Sequence, residues 1–168
     1  MKQGENQKLR IACLMKIFFT LTDSEHALSL REITDILASE YEIRVSRYSL
    51  YADFIDMEKL GCPIVQQKQG RNTVYRLASH PFELAELKLL VDSVQSAKFI
   101  TEEKSREIIR KLESLASVHE GRQLHRQVLI SGRVKARNTG VMENVDLIHN
   151  AMNSNRQICF QYFQWNWR

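Results

Sequence analysis

VSRYSLYADFIDMEKLGCPI, residues 45–64, holds the decisive pattern of the chain. Leu50, Phe54 and Met57 fall at i, i+4 and i+7, the spacing of one buried helix face. Ser46 suits the N-cap, because its hydroxyl can accept a free backbone N–H of the first turn. Gly61 suits the residue after the helix, where a left-handed conformation is needed. Pro63 and the apolar run behind it then start a strand. Arg47, Tyr48 and Tyr51 fall on the other side of this helix, at its exposed N-terminal end. A small core has no use for them there.

Working outward, Leu9, Cys13, Ile17 and Leu21 recur every four residues, with Leu14 and Phe18 beside them, and predict a first helix ending near Thr22. A second helix is expected from the N-cap Ser29, with Glu32 three residues on to complete a capping box. Leu30, Ile33 and Leu37 supply its buried face. Downstream of Gly61, residues 64–67 read as a strand, 68–72 as a turn around Gly70, and 73–77 as a second strand. The order is helix, helix, short turn, helix, hairpin, which is the pattern of a winged helix-turn-helix. The third helix of such a unit enters the DNA major groove with its N-terminal residues against base edges.

The expected DNA-contacting residues follow from chemistry. Arg47 offers a forked donor to guanine, and Tyr48 and Tyr51 can reach phosphates or thymine methyls. Ser46 and Ser49 suit phosphates, as do Ser29 and Arg31 at the start of the second helix. Lys68, Arg71 and Asn72 at the hairpin turn suit phosphates or the minor groove. Basic residues barely outnumber acidic ones in this part, and Asp53, Asp56 and Glu58 lie on the third helix itself. Affinity must then come from a local basic rim and from a dimer.

Beyond a boundary at residues 79–81, Leu84, Leu87, Val91 and Val94 step by three, four and three along one helix. Thr101 caps another, whose stripe is Ile108, Leu112 and Leu115, with Ile109 and Ala116 alongside. The hairpin of these two helices has more apolar edge than it can hide, so residues 80–142 are expected to form a linker and homodimer surface. No acidic residue occurs from Gly121 to Met142, while Arg122, Arg126, Arg133, Lys135 and Arg137 do. That run reads as a solvated connector or as a basic patch, with a short strand at Gln127–Ser131. A last helix is expected over 143–155, with Val145, Ile148 and Met152 inward, followed by a half-buried strand near Gln157–Gln164. One strand without a partner is not a stable sheet, so residues 143–168 read as the start of an α/β unit that is incomplete. The fold class is mainly α with a small β-wing, in three parts: 1–79, 80–142 and 143–168.

Several of these stretches resemble bacterial transcription regulators that join a winged helix-turn-helix to a WYL domain. VSRYSLYADF is similar to the family's serine-arginine start and apolar-Tyr-x-Asp continuation, and LGCPIV to its exit into the wing. Residues 82–116 resemble the linker helices of one branch, and VDLIHNAMNSNRQICFQY resembles the helix and first strand that open the WYL domain. The likeness covers nearly the whole chain. Ala52 departs from it, standing where many relatives carry a basic residue. The family implies effector sensing through a sheet that lies beyond Arg168, so no effector is assigned.

Composition narrows the classes. The 168 residues are 43% hydrophobic and 26% charged, with net charge +4 and pI about 9.0. These are values of a globular protein able to meet an acidic partner. No apolar run reaches the roughly 18–20 residues of a membrane span, and MKQGENQKLR is not a signal peptide. Cys13, Cys62 and Cys159 form no CxxC and read as reduced thiols, which fits the cytoplasm. No catalytic or cofactor motif appears, and the five histidines are scattered, so no enzyme, cofactor or metal site is expected. Two functions stand: a DNA-binding regulator acting as a homodimer on double-stranded DNA, or a helical interaction module that pairs with a full-length relative or another regulator.

Overall fold

A computed structural model describes residues 7–127, 135 and 140–161. It is mainly helical with one small antiparallel sheet of three strands. The N-terminal elements are α1 (Gln7–Leu21), β1 (Leu28–Ser29), α2 (Leu30–Tyr41), α3 (Arg47–Lys59), β2 (Ile64–Gln69) and β3 (Asn72–Leu77). Then come α4 (Leu84–Ser96), α5 (Glu102–Glu113), α6 (Val118–Gln127) and α7 (Val141–Asn153).

Local sequence sets the helix starts. Ser29 caps α2 in a full capping box, its hydroxyl accepting from the Glu32 N–H while the Glu32 carboxylate accepts from Ser29. Those Ser29 N–H and O–H donors hold the Glu32 carboxyl below its ordinary pKa. Ser46 caps α3 by accepting from the Ser49 N–H at 3.3 Å. Glu42 ends α2 in the left-handed conformation, and the turn drops Ile43 into the core.

Leu50, Phe54 and Met57 are buried as expected, together with Ile17, Ile33 and Leu37. Along α1 the core line is Leu14, Ile17 and Phe18, whereas Leu9 is exposed and Cys13 and Leu21 are half-buried. Steps of four overshoot a helical turn by about 40°, so the row from Leu9 to Leu21 winds across the surface instead of following the core.

The hairpin is tighter than the sequence suggested. Gln69 pairs with Asn72, leaving Gly70 and Arg71 as a two-residue turn. Gly70 has φ +63° and Arg71 does not share the sign, the arrangement in which glycine belongs at the first turn position. Lys68 and Asn72 thus lie on the strands, not in the turn. The sheet order is β1-β3-β2, with Leu28 opposite Tyr75 and Ser29 opposite Val74.

A second core gathers Leu87 and Val91 of α4, Ile109 of α5, Ala116 of the turn between α5 and α6, and Leu124 of α6. Leu87 and Val91, expected on a dimer surface, are fully buried inside the chain. They close α4 on its neighbours. The buried line of α5 is Ser105 and Ile109, with Ile108 and Leu112 beside it. Helix α6 replaces the start of the expected connector. Gly121 lets it approach α5, because a Cβ there would sit 3.3 Å from the Glu113 carbonyl oxygen. The expected strand at Gln127–Ser131 lies outside the described residues apart from Gln127, which ends α6, as do Arg133 and Arg137. Lys135 donates to the Val94 and Ala97 carbonyls at the end of α4 and to Ser105.

Helix α7 buries none of its residues. Ile148 and Met152 are exposed and Val145 is half-buried, contrary to the inward face expected for them. Residues 156–161 form no strand, and Ile158 and Phe160 are exposed, since no neighbouring strand among the described residues supplies ladder hydrogen bonds. Gln161 is the last described residue of that stretch. No helix among the described residues is long and apolar enough to cross a membrane.

A polar junction joins the two cores. Buried Asp23 accepts from the Ser117 hydroxyl at 2.5 Å, from His26 Nδ1 at 2.8 Å, and from the Glu25 and His26 backbone N–H groups. His26 stacks on His119 at 3.7 Å. Burial alone would raise the Asp23 carboxyl, but the hydrogen bonds outweigh it and hold its pKa below the ordinary value. A carboxylate with a lowered folded pKa stabilises the fold above its unfolded pKa, and that stability is lost as pH falls through the folded value. Wild type should therefore be more stable than Asp23→Asn at neutral pH, with the gap closing on acidification below about pH 4. Urea melts from pH 7 to pH 3 would measure it; a gap that widens in acid would contradict the junction.

Candidate nucleic-acid interface

The candidate surface is built from the first turns of α3, the hairpin and the start of α2. Arg47 and Tyr48 open α3, and Tyr48 is 89% exposed. Among the described residues neither Arg47 nor Lys68 nor Arg71 has an ion-pair partner, and all three are exposed. Their charges are available to an external anion.

Tyr51 is placed differently from Tyr48. Its ring packs edge-on against Phe54 and Tyr75, and its hydroxyl meets that of Tyr75 at 3.1 Å. Burial and then the Tyr51 hydrogen bond push the Tyr75 phenol up to about 12. Tyr51 is thus half packing residue and half surface, and it fixes α3 to β3.

The hydroxyls are largely committed. Ser29 Oγ donates to Glu32 Oε2 at 2.7 Å within its capping box. Ser46 Oγ lies 3.0 Å from Ser49 Oγ. Backbone N–H groups at these helix starts, not free serines, are what remains to offer a phosphate. Arg31 is exposed and 3.8 Å from Asp35, a loose contact at the surface. Asn72 pairs with Gln69 at the end of the hairpin, and its side chain is exposed.

The acidic residues of α3 do not oppose the basic ones in the way their number suggests. Asp53 is buried and held by both arms of Arg10, with Nε to Oδ2 at 2.5 Å and Nη2 to Oδ1 at 2.7 Å. Asp56 pairs with Lys59 at 2.7 Å. Glu58 is exposed and has no ion-pair partner among the described residues. The Arg10–Asp53 pair was missed in the sequence, although a signal existed. Asp53 sits on the buried line three residues after Leu50 and before Phe54, and a carboxylate there requires a cation.

Among the described residues no group of histidine, cysteine and carboxylate side chains could hold a metal ion. Comparison with family models, with curated proteins and with solved structures finds no match to this chain.

Proposed function

We propose that the chain is a sequence-specific DNA-binding regulator of transcription, with residues 7–77 acting as a winged helix-turn-helix. The observation that carries this reading is the set of unpaired cations Arg47, Lys68 and Arg71, placed on the start of α3 and on the hairpin against which α3 is packed. Helix α3 would lie in the major groove, with Arg47 reaching guanine and the hairpin contacting the backbone. The neutralisation of Asp53 and Asp56 supports it, because little negative charge then faces a phosphate. The resemblance to WYL-domain regulators leads to the same reading. Two copies on a symmetric site would supply contacts that a single unit lacks.

Arg47→Ala should weaken specific binding by about 1–3 kcal/mol and relax base preference at one position. Neutralising Lys68 and Arg71 together should weaken all duplexes and flatten the salt dependence by close to one unit per lost phosphate contact. Fluorescence anisotropy on a selected duplex, repeated at several salt concentrations, reads both. Unchanged affinity and slope in both variants would remove the proposal.

A helical interaction module is the second reading. The exposed Leu89 and Leu90 on α4 and Leu147 and Met152 on α7 favour it. It requires no DNA binding, so the same titrations separate the two.

A further inference from the structure

The ridge of α3 facing away from the core is apolar. Tyr48, Ala52 and Ile55 fall at i, i+4 and i+7, opposite the buried line of Leu50, Phe54 and Met57. All three are exposed, and Ile55 is 57% exposed. Lys59 continues the ridge, with its ammonium held by Asp56 at 2.7 Å. Beyond the Tyr48 hydroxyl, then, this ridge offers base edges almost no free hydrogen-bonding group.

Resting on the DNA-binding reading, we propose that this ridge recognises thymine methyl groups in the major groove, with Tyr48, Ala52 and Ile55 as the specificity-determining residues. The thymine C5 methyl is the apolar group that base pairs present there. The short side chain of Ala52 lets the helix come close to the base edges, and Ile55 and Tyr48 then cover methyls on either side of it. The unpaired Arg47 beside the ridge, with Lys68 and Arg71 on the hairpin, favours a polyanion over an apolar protein surface as the occupant. The site should therefore combine a guanine under Arg47 with neighbouring thymines under the ridge.

The full chain would be used to select duplexes from a random library. Each thymine of the selected site would then be replaced in turn by deoxyuridine, which removes only the methyl. Wild type should lose about fourfold in affinity at one or more thymines, the factor carried by burying roughly one methyl-sized group. Ile55→Ala should bind the thymine site more weakly and lose the sensitivity at one of those positions, with an unchanged melting temperature because the side chain is exposed. Selection of a site at which every deoxyuridine is neutral would overturn this inference and leave the regulator reading intact. So would an Ile55→Ala and a Tyr48→Ala variant that each keep every sensitivity of wild type. Failure to enrich any duplex would overturn both, and the ridge would then be a surface for a protein.

Discussion

Replacing Phe54 by alanine is expected to lower the stability of the N-terminal unit by about 3–5 kcal/mol. Phe54 is the point at which three elements meet. Its ring packs edge-on against Phe18 of α1 at 5.6 Å and against Tyr51 at 6.3 Å, and lies tilted on Tyr75 of β3 at 5.4 Å. Removing the ring forfeits its burial and leaves a void that stiff neighbours fill only in part. A domain of this size holds about 5–15 kcal/mol in total, so the single change takes away a large share of it. Phe54→Leu retains most of the volume and should lose less. Chemical denaturation of both variants gives the comparison. A Phe54→Ala protein with a midpoint near that of wild type would mean that α3 does not face α1 and β3 through this residue.

The same residues show which parts of the fold could be read beforehand. Ser29 with Glu32, Ser46, Gly61 and Gly70 act on their own backbone or on neighbours within a few residues. Local chemistry therefore fixed the starts of α2 and α3 and the existence of the hairpin. What depended on distant partners was not legible. Strand β1 has two residues and exists because Leu28 meets Tyr75 across 47 positions, 75 minus 28. Helix α6 carries a glycine and many polar residues, and it is held by buried Leu124 and by the contact of Ser117 with Asp23. Its apolar pattern is too thin to announce a helix. In α7 the error ran the other way. The spacing of Val145, Ile148 and Met152 is a good amphipathic pattern, but a pattern names a face and not the surface that covers it. For the candidate interface, Arg47 and Tyr48 are exposed where the spacing placed them. The serines could not be assigned from sequence, because a cap and a phosphate ligand use the same hydroxyl.

Arg10→Ala should destabilise the protein by about 3–5 kcal/mol although Arg10 is a charged residue of α1, one turn before Leu14 of the core line. Only 14% of its side chain and 6% of that of Asp53 are exposed, and two charge-assisted hydrogen bonds join them. Asp53, by its hydrogen bond and its charge, holds the Arg10 guanidinium above its ordinary pKa. Loss of the arginine leaves a buried carboxylate, on the same helix as buried Leu50, Phe54 and Met57, with its cation gone. The penalty is that of an uncompensated buried charge, not the worth of the pair. A graded set of variants distinguishes the two. Arg10→Ala combined with Asp53→Ala removes both charges and should recover much of the loss, while Arg10→Lys keeps a charge but cannot make two parallel bonds and should fall between. If the double variant were as unstable as Arg10→Ala alone, packing of the arginine stem would be the cause and the charge argument would fail. The pair also bears on the interface. It pins α3 to α1 from the side opposite the outward ridge, so under the proposed DNA-binding function a folded variant without it should bind a selected duplex less tightly through misplacement of Arg47 and Tyr48. Anisotropy on the double variant, at a temperature where it remains folded, would detect that loss apart from the change in stability.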